Sequence, residues 1–160
     1  MPVEYIKSIT ERYNSLGYAP YQWYQAEEAP PWAPLEKPLS DCRVGMLSTA
    51  GTYVAGQVAY YYKDDTSHRA IPKDTPAAEL RFSHITENYL PDARRDPNCV
   101  FPIEPLRQLA AEGAIGELAD DLFSCMGGIY SRRRAVEELA PAMHDAFQAQ
   151  GVDVAFLVPL

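Results

Sequence analysis

The sequence predicts an α/β fold: a mostly parallel sheet flanked by helices, preceded by an extended proline-rich N-terminal arm. Three observations carry this expectation. After Ser40, short apolar segments alternate with helical patterns, the order that builds parallel strands joined by crossover helices. The final run Val154-Ala155-Phe156-Leu157-Val158 is apolar without polar alternation, which predicts a strand covered on both faces. Before Ser40, the segment Ala29-Pro30-Pro31-Trp32-Ala33-Pro34-Leu35-Glu36-Lys37-Pro38 can form neither helix nor central strand, because proline fixes φ and has no N–H to donate. The chain therefore divides into residues 1–40, a helix and an arm, and residues 41–160, an α/β domain.

Taken in order, Ile6, Ile9, Tyr13 and Leu16 share one helical face, with Pro2 ahead of them and Gly17 at the stop. Such a helix should dock on something. Tyr18 to Tyr24 is aromatic and irregular, and the arm is expected to wrap the domain, since Trp32 and Leu35 are costly to leave in water. Arg43 to Leu47 is a short strand, followed by the small-residue turn Ser48-Thr49-Ala50-Gly51. Val54 to Tyr62 contains Gly56 and fits either a strand or an ordered loop; Asp64 to Arg69 is a polar turn. Leu80 to Ile85 alternates as a strand, and Asn88 to Cys99 is a loop carrying Pro91 and Pro97. Ile103, Leu106, Leu109 and Ala110 mark a helix closed by Gly113. Leu122 to Ser124 is a further strand, leading into Cys125-Met126-Gly127-Gly128. The last helix runs from about Ser131 to Gln150 with Val136, Leu139, Met143 and Phe147 on one face, and Pro141 must kink it or start it. The strands number about four, few for a doubly wound domain.

At 160 residues with 47% hydrophobic residues, the chain has material for one core. A formal charge of -8 opposes non-specific binding to nucleic acid or to an anionic membrane, so neither partner is expected. No apolar run approaches the ~20 residues that span a bilayer. Met1-Pro2-Val3-Glu4 lacks the basic and apolar parts of a signal peptide, and a cytoplasmic location is expected. Cys42, Cys99 and Cys125 are odd in number with no Cys-x-x-Cys pair, which suggests neither a disulfide framework nor zinc. No metal is expected, since His68 and His84 lack the carboxylate–histidine spacing of a metal site.

In open parallel sheets, ligands and chemistry sit just beyond the carboxyl ends of the strands. The turns Ser48–Gly51 and Cys125–Gly128 can present backbone N–H groups to an anion there, although neither matches a phosphate-loop or dinucleotide fingerprint and tight turning alone explains their glycines. His84, beside Ser83 and followed by Glu87, has the make-up of a general base, a substrate-orienting group or a hydrogen-bonded structural residue. His68 and His144 read as surface residues. Cys99 precedes a helix, whose N-terminus favours a thiolate, yet between Asn98 and Val100-Phe101 a small buried hydrophobe is the plainer reading. Arg132-Arg133-Arg134 at a helix start opposes the macrodipole and either binds an anion or pairs with Glu137 and Glu138 four residues on.

A larger pattern joins several of these pieces. Pro30-Pro31-Trp32-Ala33-Pro34-Leu35 with Lys37-Pro38-Leu39-Ser40, then Ser83-His84, Asp96-Pro97-Asn98-Cys99-Val100-Phe101-Pro102-Ile103, Gly113-Ala114-Ile115-Gly116 and Gly151-Val152-Asp153 together resemble the selenoprotein B family of the glycine, sarcosine, betaine and D-proline reductases. The resemblance runs in order from about residue 30 to the last residue. It implies reductive cleavage of a carbon–nitrogen bond by a selenolate, on substrate held through a carbonyl group by a partner subunit, with electrons from a thioredoxin-like dithiol donor. It also implies other reductase subunits as partners, and it leaves open a homo-oligomer. In the family, a strand like Val154 to Pro159 leads straight into a redox motif of selenocysteine, or cysteine in some members, with Pro and a second Cys close behind. The catalytic residue is thus expected immediately after Leu160, none within 1–160, and this chain alone is expected to be inactive. Selenocysteine is encoded by UGA, and a chain ending on Val158-Pro159-Leu160 is what misreading that codon as stop leaves; a domain that ends naturally on a strand is the rival expectation. On this reading Ser48, Gly51, His84, Asn98 and Cys99 are candidates for the lining of a substrate pocket. A non-catalytic binding or assembly module, using the aromatic proline-rich arm, is the alternative.

Overall fold

The computed structural model describes residues 4–20, 25–86 and 90–160. Pro2, Glu87, Asn88 and the Tyr21 to Tyr24 stretch lie outside the described residues. Contacts divide the chain into two units, Met1–Pro34 and Leu35–Leu160.

In the first unit, helix α1 spans Tyr5–Ser15 and closes with the N–H groups of Leu16 and Gly17 donating to the carbonyls of Tyr13 and Asn14. None of its residues is buried, and Tyr5, Ile6, Ile9, Tyr13 and Leu16 are all exposed.

The second unit is built on one mixed sheet. Its central strand β1, Arg43–Ser48, is long enough to be flanked on both edges. Strand β7, Val154–Val158, pairs with it in parallel from Val44↔Val154 to Ser48↔Val158. Along the other edge of β1 lie β5, Glu117–Leu118, and β6, Asp121–Cys125, one after the other and both parallel to it. Strand β3, His68–Pro72, adds antiparallel to β6. A separate two-stranded ribbon joins β2, Thr52–Val54, antiparallel to β4, Leu80–Phe82. The α/β class and the mostly parallel sheet expected from the sequence are those observed.

Several boundaries differ from expectation for identifiable reasons. Residues 64–69 read as a polar turn, yet His68 and Arg69 open β3, because a strand at a sheet edge tolerates polar side chains. His68 is accordingly no free surface residue: its ring meets Phe123 edge-on at 5.6 Å, and burial, followed by the nearby Arg69 charge, pushes its pKa down. Of Val54 to Tyr62, only the first residue belongs to a strand. The strand expected over 80–85 stops at Phe82, and the loop expected over 88–99 carries a short helix α2, Pro91–Arg95. Strand β7 is not covered on both faces: it lies at the sheet edge with Ala155, Phe156 and Leu157 exposed. A continuous apolar run registers low polarity, and polarity alone does not report how many neighbours a strand has.

One face of the sheet packs under helix α3, Ile103–Ala111, where Val44, Met46, Phe101, Ile103, Leu106, Leu118 and Leu122 form the main core. The other face carries Phe147, which lies over Gly45 and meets Phe123 edge-on at 5.5 Å. Phe147 belongs to the last helix, which has three parts: a turn α4, Arg132–Arg134, a π-turn over Ala135–Leu139, and α5, Ala140–Ala149. Pro141 has no N–H for the carbonyl one turn back, and the wider π-turn just ahead of it absorbs that mismatch. The arginine run is paired as the spacing allows, Arg133 with Glu137 at 2.9 Å and Arg134 with Glu138 at 3.0 Å.

Strand β7 is fixed in register by charge as well as by its ladder. Asp153 Oδ2 accepts from the Arg43 backbone N–H at 2.7 Å and pairs with Lys37 Nζ at 2.7 Å, and these contacts, Lys37 first, hold its pKa below the ordinary carboxylate value. The adjacent parallel strands β6, β1 and β7 thereby bring their carboxyl ends side by side.

Candidate functional site at the carboxyl edge of the sheet

Beyond those three strand ends lie Met126-Gly127, Thr49 and Pro159-Leu160. Thr49 binds two of them together. Its backbone N–H donates to the Val158 carbonyl at 3.0 Å, and its Oγ1 accepts from the Leu160 N–H at 2.8 Å. Gly127 closes the group: a Cβ placed on it would stand 2.8 Å from the Leu160 carbonyl oxygen, 2.9 Å from His84 Nε2 and 3.0 Å from the Thr49 carbonyl oxygen. Gly127 is exposed, whereas His84 beneath it is only 5% exposed. The imidazole is oriented from its far side, where Nδ1 accepts from the Thr86 N–H at 3.1 Å and lies 2.6 Å from Thr86 Oγ1. Glu87, noted beside His84 in the sequence, is outside the described residues.

The other candidates named from the sequence are built into the surrounding scaffold. Ser48 is fully buried, and its hydroxyl donates to the Val100 carbonyl at 2.7 Å while accepting from the Ala50 N–H at 3.2 Å. It satisfies backbone groups where β1 ends, as buried polar groups must be. Gly51 turns the chain at φ +65°, donates to the Cys125 carbonyl at 2.9 Å and accepts from the Ser83 N–H at 3.0 Å, so it sets the segment that delivers His84. Asn98 braces the first turn of α3 from outside: its Oδ1 accepts from the Glu104 N–H at 3.1 Å and its amide donates to the carboxylates of Asp96 and Glu104. Cys99 is exposed rather than buried, and partial desolvation, then the carboxylates of Asp96 and Asp92, push its thiol pKa up. That opposes the thiolate expected of a nucleophile. Cys42 and Cys125 are buried, and burial pushes the Cys125 thiol up to about 12.

A buried polar network stiffens the edge from behind. Ser124 Oγ accepts from the Thr52 N–H at 2.8 Å, and the Tyr60 hydroxyl donates to the Ser124 carbonyl at 2.6 Å beneath the Arg69 guanidinium, which lies 4.3 Å from the ring centre. Ser83 Oγ donates to the Tyr60 carbonyl at 3.0 Å, which ties the residue before His84 to the same network.

The structure thus groups His84 with Thr49, Thr86, Gly127 and Leu160; His84 was named as a candidate from the sequence, Thr49 and Gly127 only as members of the two small-residue turns, Leu160 only as the residue ahead of the expected redox motif, and Thr86 not at all. Spacing offered two signals for the others. A threonine two residues after a histidine in a turn can orient the ring through its own backbone, and a double glycine after a buried strand permits close approach. An apolar groove lined by Pro105, Leu106, Leu109, Val154 and Phe156 lies between α3 and β7, away from this edge. Among the described residues no cluster of His, Cys, Asp and Glu is arranged to hold a metal ion, and no helix is long and apolar enough to cross a membrane.

Comparison with known proteins addresses the same region. Residues 76–159, just over half of the chain, match the family described as glycine/sarcosine/betaine reductase selenoprotein B. The D-proline reductase subunit gamma of Acetoanaerobium sticklandii is 34% identical over 128 residues, which is 80% of this chain and 52% of that protein. The chain therefore spans about half the length of the curated relative it matches. No solved structure matches.

Proposed function

The chain belongs to the glycine/sarcosine/betaine reductase selenoprotein B family, and from that premise we propose that it serves as part of a multi-subunit reductase that cleaves a carbon–nitrogen bond in a small amino acid or its N-methyl derivative. Glycine, sarcosine, betaine and D-proline are the substrates proposed, the first three named in the family description and the last in the relative's name. Other reductase subunits and a dithiol donor are the proposed partners. The observation that carries the proposal is the convergence of three parallel strand ends on Gly127 and His84, at the edge where sheets of this kind place their chemistry.

The family name implies selenocysteine, which residues 1–160 do not contain. The three cysteines are poorly suited to replace it, since Cys42 and Cys125 are buried and the surroundings of Cys99 push its thiol pKa up. The redox-active residue is therefore proposed to lie outside residues 1–160, with this segment forming the scaffold and a wall of the site. The carboxyl edge suits such a group, because three strand ends converge there on a glycine that lets them approach closely, beside a buried imidazole. A selenolate or thiolate there would supply the nucleophile. Residues of this chain would position it: Thr49 by holding the ends of β1 and β7 together, Gly127 by letting the strand ends approach closely, and His84 by its ring. Gly51, Ser48 and Asn98 are proposed to shape the surrounding wall through the backbone.

Reconstitution of the full-length subunit with its partner subunits and a dithiol is the test. Cleavage of at least one of the four amines is expected, and dependence on this subunit should be complete. Failure to turn over any of them would overturn the proposal.

A second reading concerns α1, whose apolar face is entirely exposed among the described residues. A helix bearing Tyr5, Ile6, Ile9 and Tyr13 on its surface suits assembly, with another subunit or a second copy. Deleting residues 1–40 should then reduce the assembled size on size-exclusion chromatography, and an unchanged elution volume would remove this reading.

A further inference from the structure

We infer that the aromatic, basic surface formed by Tyr61, Tyr62, Lys63 and Tyr130 is the docking face for another subunit of the reductase, one that presents an apolar patch with an acidic rim. For the identity of that partner the inference rests on the reductase reading above, whereas the character of the surface follows from the structure alone. Tyr61, Tyr62 and Tyr130 are 64%, 57% and 70% exposed. The rings of Tyr61 and Tyr62 lie 4.7 Å apart, and Lys63, which follows Tyr62 directly, places its Nζ 5.6 Å from the centre of the Tyr130 ring. The four side chains therefore make one continuous surface. Large aromatic rings gathered in water are costly to hold there, and tyrosine is a residue type that protein interfaces concentrate at their strongest contacts.

The loop that carries these rings is held in shape from within. Asp64, at φ +53°, takes a backbone conformation that few L-residues adopt, and three contacts keep it there. Its N–H donates to the Gly128 carbonyl at 3.0 Å, its Oδ1 accepts from the N–H groups of Tyr130 at 2.7 Å and Ser131 at 3.0 Å, and its carbonyl accepts from the Arg134 guanidinium. Asp65 likewise accepts from the N–H groups of Tyr61 and Ser67. Rings displayed on a fixed loop have little freedom left to lose on binding. Both carboxylates are turned onto backbone N–H groups, while Lys63 and Arg132 are exposed at the rim. In a chain of formal charge -8 this is a locally basic surface, complementary to an acidic one. A second copy docked through the same face about a twofold axis would set these cations against their own counterparts, which like-charge repulsion opposes. The surface also adjoins the carboxyl edge: a Cβ on Gly128, next to Gly127, would stand 2.8 Å from Ile85 Cγ2 and 3.6 Å from the Tyr62 carbonyl oxygen. A subunit seated on the tyrosines therefore lies beside the converging strand ends.

Binding of the full-length subunit to the purified remaining subunits of its reductase, followed by surface plasmon resonance, tests the inference. The double variant Tyr61→Ser, Tyr62→Ser should weaken binding by about thirtyfold at an unchanged melting temperature, since both rings are exposed. Lys63→Glu should slow association by about tenfold at low salt, and added salt should shrink that difference. Wild-type affinity in the tyrosine variant would overturn the docking face, and an unchanged association rate in Lys63→Glu would overturn the acidic rim of the partner. Nitration by tetranitromethane, mapped by mass spectrometry, gives a second readout. Tyr61, Tyr62 and Tyr130 should react in the dilute, isolated full-length subunit and be protected in the complex. Protection in the isolated subunit would show that its own chain or a second copy covers the face, and would overturn the inference, as would a wild-type subunit that binds none of the others. Turnover by the wild-type complex with undiminished binding by the tyrosine variant would leave the reductase reading standing without this face. Assembly through the tyrosines in a complex that cleaves none of the four amines would do the reverse.

Discussion

Gly51→Ala is expected to destabilise the protein by about 4 kcal/mol, a large share of the roughly 5–15 kcal/mol that holds a domain folded. Two causes add. Gly51 has φ +65°, a conformation that costs an L-residue about 1–3 kcal/mol. The added Cβ would also stand 2.2 Å from the Ser83 carbonyl oxygen, which is backbone and cannot swing aside. Relief requires the loop to move, and movement strains both the Gly51 to Cys125 and the Ser83 to Gly51 hydrogen bonds, each worth about 1 kcal/mol. Gly56→Ala is the control, because Gly56 has φ +101° with nothing within 4 Å of where its Cβ would stand, and only the conformational cost remains. Urea denaturation of both variants should place Gly51→Ala well below Gly56→Ala. Equal midpoints would show that the Ser83 contact is not tight.

The second large effect is expected on function. Gly127→Val should reduce turnover in the reconstituted complex by about a hundredfold, the scale at which a displacement of about 1 Å disrupts a site. Gly127 has no positive φ, so the substitution carries no such backbone penalty. Its cost lies in what the side chain meets, namely the Leu160 and Thr49 carbonyl oxygens and His84 Nε2, all within 3.0 Å of the first carbon. Because Gly127 is exposed, the new atoms can be accommodated by shifting the strand ends outward, and stability should fall by only about 1–2 kcal/mol. Loss of turnover with the fold retained is the signature of a site residue. A variant as active as wild type would mean that this edge does not take part.

Much of this architecture was legible in the sequence, and the parts that were not have physical reasons. The order of β1, α3, β6, the last helix and β7 followed from apolar periodicity, because the two helices each turn an apolar face to the sheet that the strands form. Strand β3 was not legible because it opens on the polar residues His68 and Arg69, which a strand at a sheet edge tolerates. The exposure of Phe156 and Leu157 was also invisible, since burial is a property of neighbours and an apolar run carries no record of whether they are present. At the site, His84 stood out by its chemistry, whereas Thr49 and Thr86 act through hydroxyl and backbone contacts, and Gly127 through close approach, that residue type barely encodes. Asn98, a pocket candidate by residue type, instead braces the first turn of α3, a use of its amide that depends on Glu104 six residues away.

The most direct test of the central claim is dithiol-dependent cleavage of D-proline, glycine, sarcosine and betaine by the reconstituted complex, measured in parallel with wild-type and Gly127→Val subunits and with their melting curves. Turnover of at least one substrate by wild type, and its loss in a variant that still melts cooperatively, is the expected result. Unimpaired turnover by Gly127→Val, or none by the wild-type complex, would contradict a reductase site at the carboxyl edge of this sheet.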